Sequence, residues 1–317
     1  MNNFLVVIDK IELKYFEFNK LVTNFWFIKA LLSKGCKVYV TTISQLFLKK
    51  DIAFAKCFET YQDNNNIFYK SAIVEMEIDS FDTVLFRPDP PVDTDYINAT
   101  YIFDFVKKAR VINSPQAIRS FNEKLHSLYF CEYMTENIVT CSMKDIEHFL
   151  TEYKQIVIKP LNQCFGTGVM YLYEGDPNTH TIINTVTKNE TSLVMVQKYI
   201  PEVKSGDTRV LTLGDKILPY SIKKLPGKDD FKFNEHSDNF LVKSDMSEAD
   251  LKYFEPIAKK LNSMGIEMAG LDVIGNKIIE INVTSPCYFI KEINNLYGIK
   301  LEDTLTDYLL THSLLSL

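Results

Sequence analysis

The chain lacks the features that would place it in several common protein classes. None of its apolar stretches reaches the roughly 18 residues that a membrane-spanning helix needs. The opening Met1-Asn2-Asn3-Phe4-Leu5-Val6-Val7-Ile8-Asp9 has too short an apolar run and no basic start, so it reads as a first buried strand and not as a signal peptide. Six cysteines (Cys36, Cys57, Cys131, Cys141, Cys164, Cys287) form no Cys-x-x-Cys pair and have no His partner at zinc-like spacing. That favours reduced thiols and a cytoplasmic location over a disulfide scaffold. There is no basic excess either. The net charge of −6 argues against a nucleic-acid surface, although a local basic cleft is still able to hold phosphates. The first strand is not followed by Gly-x-Gly-x-x-Gly, which argues against a dinucleotide oxidoreductase. Internal repeats and low-complexity linkers are also absent.

What remains is an ordinary globular composition, 46% hydrophobic and 24% charged, in 317 residues, enough for two or three subdomains. The first 115 residues alternate as an open α/β sheet does. Strands are expected at 4–9, 37–43, 81–86 and 111–113, with a helix over 21–33 stopped by Gly35. Between 49 and 70 the pattern fades, and only irregular or edge structure is expected. Ser114-Pro115 is a helix start, with Ser at the cap and Pro in the first turn. From about 122 the character changes. A helix is expected over 122–132, then strands at 153–159, 169–173 and 193–199. A hairpin turns at Gly214-Asp215. Residues 223–243 read as a mobile functional loop, and 247–264 as a helix capped by Ser247.

The next segment carries the chemistry. Ala269-Gly270-Leu271-Asp272-Val273-Ile274 and Ile278-Ile279-Glu280-Ile281-Asn282-Val283 flank Gly275-Asn276-Lys277. Strand side chains alternate, so Glu280 and Asn282 share one face while Ile279, Ile281 and Val283 take the other. A three-residue turn puts Asp272 opposite Glu280, whereas a two-residue turn puts it opposite Ile279 and on the wrong face. Parity therefore predicts the three-residue turn. Two carboxylates a strand apart repel unless a cation lies between them. Asp272, Glu280 and Asn282 supply oxygen ligands suited to magnesium, with manganese as the alternative metal. The competing reading is a solvated face with incidental acids.

Upstream lie elements of phosphate-binding type. Lys159 ends the run Ile156-Val157-Ile158-Lys159-Pro160, and Gly166 and Gly168 follow in a loop able to bring N–H groups near a polyphosphate. This is not a Walker loop. Lys124, taken alone, reads as a surface lysine. The strand through Gln197, Lys198, Tyr199 and Ile200 offers backbone to an adenine edge, or is a plain edge strand. Arg209 is a candidate ion-pair residue at a strand start. Arg87 stands at the C-terminal end of an apolar strand, where open α/β sheets bind ligands, and suits a substrate carboxylate or a structural pair equally.

Together these motifs resemble the ATP-grasp superfamily, and within it the bacterial glutathione synthetases. The resemblance runs through Arg87-Pro88-Asp89-Pro90-Pro91, Asn122-Glu123-Lys124-Leu125, Lys159-Pro160-Leu161, Gly206-Asp207-Thr208-Arg209-Val210-Leu211 and Pro219-Tyr220. It ends in Gly270-Leu271-Asp272-Val273-Ile274-Gly275 and Glu280-Ile281-Asn282-Val283-Thr284-Ser285-Pro286. It implies an α/β N-terminal domain with an open parallel sheet (1–121), followed by an ATP-grasp fold of α+β type. The ATP-grasp part divides into a lid subdomain (122–200) and a C-terminal subdomain with the metal site (201–317).

The implied reaction is ATP-dependent joining of γ-glutamylcysteine to glycine through an acyl-phosphate. Lys124, Lys159, Gly166 and Gly168 would hold phosphates, Gln197 to Ile200 adenine, and Asp207 the ribose. Asp272, Glu280 and Asn282 would hold the metal, and Arg209 would stabilise the transferring phosphoryl group. Arg87, Ser285, Lys224 and Lys232 would face substrate. The implied partners are small molecules, without nucleic acid or membrane, in a homodimer or homotetramer.

Several positions depart from the family pattern. Lys224 and Lys232 stand where arginines are expected and cannot reproduce a bidentate fork. Asn234-Glu235-His236-Ser237-Asp238-Asn239 replaces a Gly/Ala-rich lid, and Cys287-Tyr288-Phe289-Ile290-Lys291 is one residue longer than usual. These departures keep two alternatives open: an ATP-grasp ligase with another donor or acceptor (amino acid, peptide or protein), and a nucleotide-binding regulatory protein without turnover.

Overall fold

A computed structural model describes residues 2–14, 23–164, 166–226 and 241–313. Three sheets organise them. The first has seven strands, with Asn3–Ile8 at its centre in parallel pairing with Lys37–Thr42 on one side and Thr83–Phe86 on the other. Arg110–Ile112 extends it in parallel. Phe4, Val6 and Ile8 enter one apolar cluster and Leu5 and Val7 another, so the central strand is buried on both faces. That explains its unbroken apolar run.

The segment expected to be irregular is instead a long antiparallel hairpin, Ile52–Asp63 with Asn66–Glu77, turning at Asn64 with φ 55°. Its inward residues are the small Ala53, Ala55 and Cys57, while Phe54 and Phe58 lie on the other face. With small residues buried on one face and large, partly buried ones on the other, where Phe58 packs against the apolar cluster of Phe4, Val6 and Ile8, the usual alternation signal fades. The sheet is therefore mixed, not purely parallel.

The second sheet is antiparallel, in the order Met170–Tyr173, Gln155–Pro160, Val194–Lys198, Asn137–Thr140. Met143–Tyr153 is a helix capped by Ser142, so Tyr153 ends a helix and does not begin the next strand. The expected helix over 122–132 is a 3-10 stretch, Leu125–Tyr133, kinked at Phe130. Its lead-in is held elsewhere, because the Glu123 carbonyl accepts from Ile281 N–H at 3.2 Å.

The third sheet is also antiparallel. It runs Leu241–Lys243, Lys216–Lys224, Asp207–Leu213, Met268–Ile274, Lys277–Asn282. The helix Glu248–Ser263 covers one face through Phe254, Ile257, Ala258 and Leu261. Ser247 caps it reciprocally with Asp250, and Ser114 caps Pro115–Ser120. No helix among the described residues is long and apolar enough to cross a membrane.

Candidate active site

Asp272 lies opposite Glu280, and Gly270 opposite Asn282. The expected three-residue turn is not what produces this register. The ladder closes at Ile274–Lys277 around the two-residue turn Gly275-Asn276, with Gly275 at φ 63°, and the register shifts between Asp272 and Val273. Ile279 is the extra residue of a β-bulge, which absorbs the parity mismatch that a two-residue turn would otherwise create. Ile278, and not Ile279, consequently joins Ile281 and Val283 in the core. Ile279 lines the cleft, and its carbonyl accepts from Lys159 Nζ at 3.2 Å.

Asp272 is 7% exposed and accepts four hydrogen bonds. Arg209 Nε donates to Oδ1 at 2.7 Å and Nη2 to Oδ2 at 3.0 Å. Lys224 Nζ donates to Oδ1 and Asn282 Nδ2 to Oδ2, both at 3.0 Å. Burial alone would raise this carboxyl, but the Arg209 and Lys224 charges outweigh it and hold it well below the usual carboxylate range. Lys224 also reaches Asp207 at 2.5 Å. Burial would lower the Lys224 ammonium, and the two carboxylates reverse that and raise it.

Lys124 is not the surface lysine its local sequence suggested. It is 4% exposed and donates to Glu280 Oε1 at 2.8 Å and to the Gln163 carbonyl at 2.6 Å. Its neighbour Glu123 accepts on Oε1 from the N–H groups of Val283 and Thr284 at 2.7 and 3.0 Å and from the Thr284 hydroxyl at 2.9 Å. Burial and then the Glu280 charge raise the Glu123 carboxyl, with the Thr284 and Val283 bonds opposing. Burial pushes Lys159 down to about 8, with Glu280 opposing and Lys124 adding to the effect.

Beside these groups lies a cleft of about 540 Å³, which Lys124 and Gly168 do not line. Lys159, Gly166, Asp207, Arg209, Lys224, Asp272, Glu280, Asn282 and Ser285 line it, as do Gln197, Lys198, Tyr199 and Ile200. Val194–Lys198 is an interior strand, paired on both sides and so not an edge. Tyr199 N–H is bonded to the Gln155 carbonyl. Gly168, at φ 70°, packs close to Pro160. Arg87 is not among the cleft residues. It is 3% exposed, donates to Asn24 Oδ1 at 2.5 Å and the Pro286 carbonyl at 2.9 Å, and lies over Phe27. Lys232 and residues 234–239 lie outside the described residues, while the two ends of the expected 223–243 loop are strand, in Lys216–Lys224 and Leu241–Lys243.

Sequence reasoning assigned no role to Asp89, Glu123, Cys287 and Phe289, which also line the cleft. Signals for them are present in the sequence: Glu123 adjoins Lys124, Asp89 lies in the Arg87–Pro91 motif, and Cys287 and Phe289 lie in the segment that departs from the family pattern.

The donor set suits a hard cation. Asp272, Glu280 and Asn282 offer oxygen only, and among the described residues no three His, Cys, Asp or Glu side chains cluster as a complete metal cage. A site of two carboxylates and one amide, completed by phosphate and water, is the magnesium pattern. The four bonds on Asp272 fill its acceptor positions, so one donor must give way for a metal to be held there.

Residues 3–119 match the model of the prokaryotic glutathione synthetase N-terminal domain, and residues 123–298 match that family's ATP-grasp domain. The chain belongs to the prokaryotic glutathione synthetase family. A glutathione synthetase from Neisseria meningitidis serogroup A is 35% identical over 275 residues, covering 84% of this chain and 86% of the relative. One from Vibrio parahaemolyticus is 34% identical, covering 86% and 88%. Among solved structures, D-cycloserine synthetase DcsG superposes with a TM-score of 0.67 at 14% identity, covering 98% of this chain and all of that one. D-alanyl-alanine synthetase A from Vibrio cholerae gives 0.64 at 11%, covering 99% and 98%. At such identities these two carry the fold alone. The family member described here has the ATP-grasp fold and is an ATP-dependent ligase that forms a C–N bond.

Proposed function

We propose that this enzyme joins the cysteinyl carboxylate of γ-glutamylcysteine to the amine of glycine. One observation carries this reading: the acidic hairpin, Lys159, Arg209 and Lys224 converge on a single cleft. A carboxylate oxygen attacks the γ-phosphorus of ATP, ADP leaves, the amine nitrogen attacks the acyl-phosphate carbonyl, and phosphate leaves. No covalent bond to the protein is required, so catalysis is positioning and electrostatic stabilisation.

In this reading Lys159 and Lys124 hold phosphates beside the glycine loop of Gly166 and Gly168. Adenine lies along Gln197 to Ile200, where the ladder ends at Lys198, and Asp207 takes the ribose. Arg209 sits where charge develops on the transferring phosphoryl group. Asp272, Glu280 and Asn282 hold magnesium, or manganese, which when bound neutralises phosphate charge. Ser285 and Lys224 face the donor. Arg87 acts at one remove, by fixing the Pro286 carbonyl. Lys232 is assigned to substrate through family resemblance. That resemblance also carries a homodimer or homotetramer, and the scattered cysteines support a cytoplasmic location.

Phosphate release from magnesium-ATP with γ-glutamylcysteine and a panel of amines tests the reading. Release that requires both γ-glutamylcysteine and glycine, and is abolished in Glu280→Gln, is expected. Release only with other pairs points to another ligase, and ATP binding without release on any pair points to a regulatory role.

A further inference from the structure

We propose that the Phe289 ring sets which amine this ligase accepts, restricting it to amines with no side chain on the α-carbon. The inference rests on the ligase reading above and adds a residue that governs acceptor choice. The segment that follows the acidic hairpin is fastened from several directions. Asn113 Nδ2 donates to the Val283 carbonyl at 2.9 Å and Arg87 to the Pro286 carbonyl at 2.9 Å. Tyr288 N–H donates to Thr23 Oγ1 at 3.0 Å, and Arg209 Nη1 donates to the Cys287 carbonyl at 3.3 Å. Tyr288 and Ile290 on either side of Phe289 are buried.

Between them Phe289 adopts φ 47° and ψ 44°, the left-handed region. A bulky side chain takes that conformation only where its surroundings over-determine it, and such outliers gather at functional sites. Tyr288 and Ile290 are buried in the core cluster, whereas Phe289 is only partly buried, packing on the rim of that cluster and lining the cleft. Its ring centroid lies 5.8 Å from the Arg209 guanidinium carbon. An amine attacking a carbonyl activated beside Arg209 and Asp272 approaches past this ring. The ring occupies space that a side chain on the α-carbon of the amine would need.

The test compares kcat/KM for glycine and for alanine in wild type, Phe289→Gly and Phe289→Asn, with ATP and γ-glutamylcysteine saturating. Gly and Asn both tolerate positive φ, so they remove the ring without forcing the backbone. One methyl group is worth about 10- to 200-fold in such a pocket. The wild-type preference for glycine should lie in that range and fall by about tenfold or more in both variants, through a lower KM for alanine, with the KM for ATP unchanged.

An unchanged glycine-to-alanine ratio with an equal loss of kcat on both would overturn the inference and leave the ligase reading standing, because the ring would then only prop Arg209. A wild type that prefers a bulkier amine, or turns over none, overturns both. If neither variant folds, Phe289→Trp decides. Its larger ring should raise the KM for glycine, and an unchanged KM overturns the inference.

Discussion

Replacing Asp272 by asparagine keeps the shape of the side chain and removes one buried charge. In the native cleft that carboxylate balances Arg209 and Lys224 together, and Lys224 alone has a second partner in Asp207. Arg209 would be left buried with no carboxylate on its fork. Breaking a buried pair from one side costs about 3–5 kcal/mol. For a folding unit of roughly 200 residues, that amounts to a fall in Tm of about 6–20 °C. Calorimetry of wild type and Asp272→Asn at pH 7 measures it.

The pH dependence gives a second reading of the same interaction. The folded carboxyl lies below its unfolded value of about 3.9. Its contribution is therefore fully present above about pH 4 and is lost as pH falls through the folded value. The gap between the two proteins should stay constant from neutral pH to about 4 and close below it. A double variant, Asp272→Leu with Arg209→Met, should lose less stability than the sum of the singles, because it leaves fewer unpaired charges. If Asp272→Asn melts within about 1 °C of wild type, the burial and pairing of Asp272 are refuted.

Lys159 makes a prediction about activity. Its ammonium sits at about 8, so kcat/KM for ATP, which reports the enzyme form that combines with ATP, should fall above that pH with γ-glutamylcysteine and glycine saturating. Because its folded value lies below the unfolded one, the burial penalty is present below about pH 8 and is relieved as pH rises toward about 10.4. Lys159→Met should therefore be stabilising at pH 7, lose that advantage near pH 10, and lack the alkaline limb in whatever activity remains. Deleting Ile279 removes the bulge but leaves Asp272 opposite Glu280. That protein should fold with a raised KM for ATP, whereas deleting Asn276 should slip the register and unfold the sheet; equal thermal stability of the two deletions would contradict the bulge assignment.

How much of this was legible in the sequence can be seen residue by residue. The strongly buried apolar face made the facing of Asp272 and Glu280 legible, although parity assigned it to a three-residue turn and the structure reaches it through a two-residue turn and a bulge. The bulge did not, because Ile278 and Ile279 are chemically identical and only the ladder reveals which one leaves it. The burial of Lys124 was invisible because its partner Glu280 lies 156 residues away. Arg87 is ambiguous in the sequence for the same reason, its contact with Pro286 spanning 199 residues. The hairpin after residue 50 was missed because Ala53, Ala55 and Cys57 pack inward where large apolar residues are normally expected. Short-range signals such as the Ser247 capping box and the Ser114-Pro115 start were readable, since everything they need lies within one helical turn.

The central claim is that this cleft activates a carboxylate by phosphorylating it. It is tested most directly with γ-glutamylcysteine labelled with ¹⁸O in its cysteinyl carboxylate and turned over with ATP and glycine. One labelled oxygen should appear in each inorganic phosphate released. Phosphate that carries no label while product forms would contradict an acyl-phosphate and the account of the site built on it.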